Sequence, residues 1–385
     1  MPEPPVMQRL GVRYMAQRER RLGASPIQVD SHRLDAAEHR TLLRIQWRLV
    51  VESAALGAGS GVVCAVAELW ADANLTVGPS AGWRAHALYW GVLGSVIGLA
   101  SLVEVVLLYL KSLWAVHAIA RTAGARLFVT DSELEPSSPM SAALVRAALE
   151  LPNPPPEGYA IDPLREVSRW RTLAVGLLYK AKIGLSGFAI KLVLRRALGR
   201  AALRAWLVFV GVPVTAFWNA VVAFVVIREA RLRAIGPSAA RRLCELIDLP
   251  AAGDPSGRAD LVWRAVAATV VRTHELHPNV AALMDALREP LGAPPTDDLD
   301  DTALFLERLS AAPVDDQQAA LRALAVAAAL DGKISRDERR LVDEAARVTG
   351  LPMPRRALAR LRAQFVRGGV LSSDLLGPLA EVTRA

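Results

Sequence analysis

Three long apolar stretches interrupt an otherwise polar chain. The first covers residues 49–70, with acidic side chains only near its ends, and the second covers residues 85–110, with one charge. Each is long enough to cross about 30 Å of hydrocarbon as an α-helix that rises about 1.5 Å per residue. The third covers residues 205–227 and contains no charge. The pattern predicts a helical membrane protein.

These apolar stretches and the polar regions between them divide the chain into five predicted segments. They are a cytoplasmic N-terminal segment (1–48), a transmembrane hairpin (49–120), a proline-rich linker (121–163), a second apolar helical hairpin (164–235) and a C-terminal helical domain (236–385). A helix is predicted to start at Asp35 and to run into the first apolar stretch. The C-terminal segment shows amphipathic periodicity typical of a soluble helical bundle. The helices predicted there are 238–249, 259–274, 280–287, 302–311, 314–330, 335–349, 354–366 and 373–382. The expected fold class is therefore all-α.

Arginine clusters predict the orientation of the apolar segments. Arginines precede residue 49, follow residue 110 and flank residues 205–227 on both sides. Because cytoplasmic flanks of membrane helices carry excess Lys and Arg, both termini are expected in the cytoplasm. Two arrangements satisfy the flanks of the third stretch. Either residues 173–194 also cross, or residues 205–227 bend at Gly211 to Pro213 into a re-entrant hairpin.

Composition narrows the class of partner. The chain has 46 Lys plus Arg against 38 Asp plus Glu, but only five of the 46 are lysines, a skew typical of GC-rich bacterial genes. The arginines lie beside apolar runs rather than between stacking aromatics, so a lipid bilayer is the expected partner and nucleic acid is not. The first ten residues lack the apolar core of a signal peptide. The expected location is the bacterial inner membrane, with several crossings.

Two carboxylates lie within the predicted spans. An ionised group in mid-bilayer costs on the order of 3 kcal/mol, so Glu52 and Glu104 are candidate functional residues. With Leu49 opposite Leu110 in an antiparallel hairpin, the two are expected at neighbouring depths, where they share a proton or face polar partners. The alternative is that Glu104 pairs with Arg48.

Glycine steps suggest close helix packing in the hairpin. Gly57 and Gly61 form one GxxxG step, and Gly94 and Gly98 form another. In the same register Gly61 is level with Gly98, so these glycines are expected to pack together or to support a homo-oligomer.

Part of the second apolar region resembles a known family. The run from Gly199 through Val212-Pro213-Val214 to Asn219 resembles the helical hairpin of EcsC-like bacterial proteins. The resemblance implies a membrane-associated module without known catalytic residues, in which Asn219 is a packing or hairpin residue.

The C-terminal domain carries a second resemblance. Residues 324–351, with an Asp331-Gly332 turn and an acidic helix start at Glu338, resemble the central hairpin of TerB-like domains, the tellurite-resistance protein B superfamily. The resemblance implies that Asp331 and Glu338 belong to an acidic set linked to a divalent metal. The family's other acidic positions have no match, because residues 325–329 are apolar here.

The same residues have an interpretation without metal. Read as an EF-hand loop, the segment has Ala327 and Ala329 where calcium needs oxygen ligands. The preferred interpretation is a turn at Asp331 and a capping box between Ser335 and Glu338. The helices then close on an apolar core formed by Leu324, Val326, Leu330, Ile334, Leu341 and Val342.

The sequence contains no catalytic motif that indicates a reaction. His274 and His277 lack the spacing of a zinc protease and are expected at a solvated helix end, and no nucleophile elbow or Walker lysine is present. The expected function is a non-catalytic membrane adaptor or scaffold that presents the TerB-like domain to protein partners in envelope or metal stress. No cofactor is expected, apart from the metal that the TerB resemblance implies. The alternatives are a small transporter or channel that uses Glu104 and an unrecognised membrane-bound enzyme.

Overall fold

The structure is a computed structural model of the 385-residue chain. It describes residues 5–23, 32–75, 82–125, 127–128, 139–151, 153, 159, 161–163, 165, 209, 211–247, 249, 257–295 and 297–379. Across these ranges the chain forms eleven α-helices and one short 3-10 helix, without a strand. The predicted all-α fold is confirmed at this level.

The helices follow one another in chain order. They are α1 (Val6–Leu22), α2 (Ala36–Asn74), α3 (Trp83–Thr122), α4 (Pro139–Ala148), α5 (Gly211–Leu246), α6 (Arg258–Thr273), α7 (Pro278–Leu291), α8 (Thr302–Ala311), α9 (Val314–Leu330), α10 (Arg336–Thr349) and α11 (Arg355–Arg367). Three of them, α2, α3 and α5, are long and apolar enough to cross a membrane. Helix α2 contains the predicted span 49–70 and α3 contains 85–110, while α5 begins at Gly211, inside the predicted span 205–227.

Contacts group the chain into two compact units. The bundle unit contains Met1–Arg40, Ile119–Val167 and Glu229–Ala385, and the apolar unit contains Thr41–Ala118 and Ser168–Arg228. The N-terminal segment and the linker, predicted as separate segments, thus group with the C-terminal domain. Helices α1 and α4 pack on each other, and their buried side chains include Met15, Leu144 and Val145. Arg233 of α5 donates to the Ala143 carbonyl oxygen on α4, which links this pair to the C-terminal domain.

The apolar unit is built from α2, α3 and α5 where they carry few charges. One narrow stripe of α2 is buried, with Leu49, Ser53, Gly57 and Ala65 four or eight positions apart. Residues at this spacing share one face of an α-helix, and small ones allow close approach of a neighbouring backbone. By contrast, 6% of the most apolar 18-residue window of α3 is buried.

The bundle unit is organised around α9. From Ala319 to Leu330 most side chains of α9 are buried, and the helix contacts α6, α7, α8, α10 and α11. Its many alanines let these neighbours approach closely. Five of the six predicted core residues are buried, and the sixth, Ile334, is partly exposed.

Several predicted helices match the structure and two do not. The helices at 302–311 and 314–330 have the predicted bounds. The expected helix 238–249 is instead the end of α5, which continues through Pro237. The expected helix 373–382 is a single 3-10 turn, Ser373–Leu375, as far as it is described. Gly377 and Pro378 explain this, because proline lacks the amide hydrogen that a helix interior needs.

The two arrangements proposed for the third apolar stretch concern residues that lie largely outside the described ranges. From Gly211 the described chain is one helix through Pro213 to Leu246. Residues 173–194, and the chain before residue 209 that would form the other arm of a re-entrant hairpin, are outside the described part. The number of crossings therefore stays a prediction.

Candidate functional site

A polar cluster joins the three apolar helices. Asn219 of α5 donates a hydrogen bond from Nδ2 to Oε1 of Glu104 on α3, at 2.5 Å. One turn earlier on α5, the Thr215 hydroxyl lies 2.8 Å from the carbonyl oxygen of Gly57 on α2. The Glu104 carboxyl thus faces a polar partner, one of the two outcomes expected from the sequence.

Glycine makes this approach of α2 and α5 feasible. A Cβ at Gly57 would lie 2.7 Å from both Asn219 Nδ2 and the Thr215 carbonyl oxygen, and a Cβ at Gly61 would lie 2.9 Å from the Val212 Cα. Real Cβ atoms do not approach neighbours this closely. The first glycine step therefore packs against α5, and the predicted pairing of Gly61 with Gly98 is wrong.

The second glycine step is on an open surface. Positions for a Cβ at Gly94 and at Gly98 have no described atom within 4 Å. This step, rather than the Gly57–Gly61 step, remains open to a second copy of the chain. Homo-oligomerisation stays a prediction.

Glu52 belongs to a separate charged group in the apolar unit. Its carboxylate accepts from Arg48 Nε at 2.8 Å and from Lys111 Nζ at 2.6 Å. The Arg48 guanidinium lies 5.0 Å from the centre of the Trp114 ring, a cation–π distance. Arg48 thus pairs with Glu52, and the alternative pairing of Arg48 with Glu104 is wrong.

Asp331 and Glu338 occupy the turn between α9 and α10. Asp331 follows the last residue of α9, and its Oδ1 accepts from the Lys333 amide at 2.7 Å. Gly332 adopts φ +72°, a left-handed conformation that favours glycine. Ser335 and Glu338 form a reciprocal capping box at the start of α10, which confirms that prediction.

This donor set does not fit a calcium loop. Calcium takes six to eight oxygen ligands. Ala327 and Ala329 are buried within α9, and their methyl side chains supply no oxygen ligand. In the described ranges no three His, Cys, Asp or Glu side chains are grouped so that they could hold a metal ion. A metal at Asp331 and Glu338 stays a prediction.

Glu338 is a buried carboxyl with an unusual environment. The residue is 1% exposed, and its Oε1 has no hydrogen-bond partner among the described residues. Burial and, secondarily, repulsion from Asp331 raise the pKa of Glu338 to about 7. Burial also raises the pKa of Asp331. The turn therefore holds two carboxyl groups that resist ionisation together.

Substituting glutamine for Glu338 should stabilise the protein at pH 8. Because the pKa of Glu338 is raised from 4.5 to about 7 in the folded state, folding stability falls as pH rises through that interval. Glutamine removes the buried charge and keeps the capping acceptor. We expect Glu338→Gln to gain on the order of 2 kcal/mol at pH 8 and nothing at pH 4.5.

Thermal melts of the full chain in neutral detergent test this expectation. The matched control is Asp337→Asn, a partly exposed first-turn carboxylate whose loss should slightly destabilise the helix at pH 8. A Glu338→Gln variant less stable than wild type at pH 8 would contradict the burial argument. A wild-type melting temperature that falls sharply with EDTA would instead support a structural metal.

His277 belongs to a partly buried polar group, with Glu229 and Arg233, that the sequence pattern did not reveal. It precedes α7 as its cap: Nδ1 accepts from the Asn279 amide, so Nε2 carries the hydrogen and donates to Glu229 Oε1 at 2.8 Å. Arg233 Nε donates to the same oxygen at 2.9 Å, and its Nη1 donates to the Ala143 carbonyl. The expectation of a solvated helix end is wrong for His277.

Asn279 ties three elements of the bundle unit together. It is fully buried at the start of α7, and Nδ2 donates to the carbonyl oxygens of Leu232 on α5 and Leu330 on α9. Leu232 directly precedes Arg233. The Arg233 carbonyl oxygen lacks its helical donor, because Pro237, four positions later, has no amide hydrogen. A buried amide that bonds two backbone carbonyls fixes how these helices meet.

Comparisons with protein-family models, curated proteins and solved structures find no match to this chain. The TerB-like and EcsC-like resemblances therefore rest on the quoted residues alone. Asn219, which the EcsC-like resemblance implied to be a packing residue, does lie in a helix contact. No sequence signal distinguished His277 and Asn279 from ordinary polar residues, because their partners are about 50 positions away.

Proposed function

We propose that the chain is a non-catalytic, membrane-anchored adaptor or scaffold of the bacterial inner membrane. In this proposal α2, α3 and α5 anchor the protein, both termini are cytoplasmic, and the TerB-like helical domain is presented to cytoplasmic protein partners. Envelope or metal stress is the setting that the TerB resemblance suggests.

The observation that carries the proposal is the exposed apolar surface of α3. Leu99 is 64% exposed and Leu102 is 61% exposed, and both belong to a helix with long apolar runs. Contiguous apolar surface of this extent is unfavourable in water and is typical of a membrane or protein interface. Length and composition favour lipid as the neighbour.

Tryptophan spacing supports the same interpretation. Trp47 and Trp70 bracket the apolar part of α2. They are 23 positions apart, which is about 35 Å along a helix. This matches a hydrocarbon core plus its two interfaces, where tryptophan is enriched.

The buried ionic groups of the bundle unit favour a structural role over catalysis. Arg264, 2% exposed, donates to both Asp260 oxygens and to the carbonyl oxygens of Asp297 and Asp298. Arg233 is likewise bonded to Glu229 and to a backbone carbonyl. Charges engaged in this way hold loops and helices in place and are poorly suited to proton transfer with a substrate.

Three measurements test the adaptor proposal. Fusions after Ala385 should give a bright fluorescent protein and inactive alkaline phosphatase, and the chain should stay in membranes after alkaline carbonate extraction. A photo-crosslinking residue at Val348, exposed on α10, should give discrete heavier bands. The same residue at Trp83, exposed in the apolar unit, is the control and should not give these bands. The proposal would be contradicted by an active phosphatase fusion, by release of the chain from membranes in carbonate, or by the same crosslinked bands from both sites.

A small transporter is the second candidate, and the Glu104–Asn219 hydrogen bond favours it. A carboxyl directed at a polar partner between apolar helices is common on ion and proton pathways. In proteoliposomes, a transporter should show a proton or sodium flux that Glu104→Gln abolishes and that Glu68→Gln, near the end of α2, leaves unchanged.

A further inference from the structure

A cavity of about 330 Å³ lies within the bundle unit. Its walls come from the residues before α2, from the last turns of α5 and from the segment after α11. The polar lining consists mainly of Arg33, Ser238, Arg241, Arg242 and Glu245. The four residues from α5 recur at intervals of three and four positions, so they share one face of the helix.

Three hydrogen bonds connect the walls pairwise. His32 Nδ1 lies 2.8 Å from the Ser238 hydroxyl oxygen, and both residues are buried. Arg242 Nε donates to the Leu371 carbonyl oxygen at 3.3 Å. The Leu34 amide donates to the Gly368 carbonyl oxygen at 2.9 Å, which joins the remaining two segments. A cavity closed in this way is preorganised, which reduces the entropy lost on binding a ligand.

The cavity carries an excess of positive charge. Arg242 Nη1 pairs with Glu245 at 2.8 Å, which offsets one of three guanidinium groups. Arg33 and Arg241 are exposed, and neither forms an ion pair with any residue that the structure describes. Two guanidinium groups are therefore available to an anion, beside the apolar wall formed by Val370 and Leu371.

We propose that this cavity binds the phosphate group of a small phosphomonoester, with Arg33 and Arg241 as its principal ligands. Guanidinium matches phosphate geometry with paired N–H donors and stays charged at every physiological pH. The volume lies within the range of small-molecule sites and holds a phosphate with a short organic group against Leu371. The phosphate belongs either to a soluble metabolite or to a lipid headgroup. The site is independent of the adaptor proposal.

Binding to the full chain in neutral detergent tests the soluble source. Isothermal titration with sn-glycerol 3-phosphate, and with inorganic phosphate, should show saturable binding. Arg241→Gln and Arg33→Gln should each weaken it by about tenfold, as expected for loss of one charge-assisted pair. The matched control is Arg336→Gln, an exposed arginine of the bundle unit outside the cavity, which should bind as wild type does.

Nanodiscs test the lipid source. Phosphatidic acid in phosphatidylcholine nanodiscs should protect the amides of residues 238–245 from hydrogen exchange, and Arg241→Gln should remove that protection. Arginine-dependent binding in either experiment supports the site and identifies the source. Absence of binding in both, or an equal loss in Arg336→Gln, would overturn the proposal. Unchanged melting temperatures of the variants exclude misfolding as the cause.

Discussion

Valine at position 57 should prevent α2 and α5 from packing and should lower the stability of the folded protein by on the order of 3 kcal/mol. A Cβ there meets the Thr215 carbonyl oxygen at 2.7 Å, and a backbone atom within a helix cannot shift without moving the whole helix. The same substitution displaces Asn219 and so also breaks its hydrogen bond to Glu104. Thermal melts in detergent, followed by tryptophan fluorescence, measure the loss.

Gly59→Val is the matched control for this prediction. It makes the same chemical change two positions away on the same helix, where no described atom lies within 4 Å of the new Cβ. It should melt within a few degrees of wild type, because valine is well tolerated in apolar helices. Equal destabilisation by the two variants would show that the α2–α5 contact does not determine stability.

Loss of the Asn279 amide should destabilise the bundle unit by about 3–5 kcal/mol, since Asn279→Ala leaves two buried carbonyl oxygens without their donor. Removing an amide side chain at the surface should lower the stability much less. Asn153→Ala, which removes one exposed hydrogen bond to Glu275, is the matched control and should cost about 1 kcal/mol or less. Chemical denaturation of the full chain in detergent gives both values.

A double-mutant cycle sharpens the Asn279 prediction. A Cβ at Gly236 would lie 1.9 Å from Asn279 Oδ1, so Gly236→Ala should strongly destabilise the wild-type chain. In the Asn279→Ala background the same change should be much less costly, because the clashing atom is gone and alanine favours helix. Additive effects of the two substitutions would contradict the contact.

Local signals made part of the fold predictable. Helix 314–330 and the capping box at Ser335 depend on residues a few positions apart, which a sequence displays directly. The Asp35 start of α2 is of the same kind, since Asp35 Oδ1 accepts from the amides of Ala37 and Glu38. Long apolar runs are equally local, which is why the three candidate spans were found.

Most of the features that the sequence did not predict depend on contacts between residues far apart in the chain. The sequence predicted the wrong glycine partner because α2 packs on α5, 158 positions away at the Gly57–Thr215 contact, rather than on its neighbour α3 at that point. Helix α1 was missed because its buried stripe, including Val12 and Met15, is short and surrounded by arginines. The Pro237 position looked like a helix boundary, but buried Asn279 supplies a donor near the interruption.

The hydrogen bond between Glu104 and Asn219 has a consequence for biosynthesis. The two residues are 115 positions apart, which at about 5–20 residues per second corresponds to roughly 6–23 s of translation. During that interval the Glu104 carboxyl is present in the chain, while the Asn219 amide that donates to it does not yet exist. In the membrane arrangement proposed above, the carboxyl lacks this partner until α5 is made, which is costly within a bilayer. Slow codons between Glu104 and Asn219 would lengthen this interval, and we expect them to lower the yield of the protein.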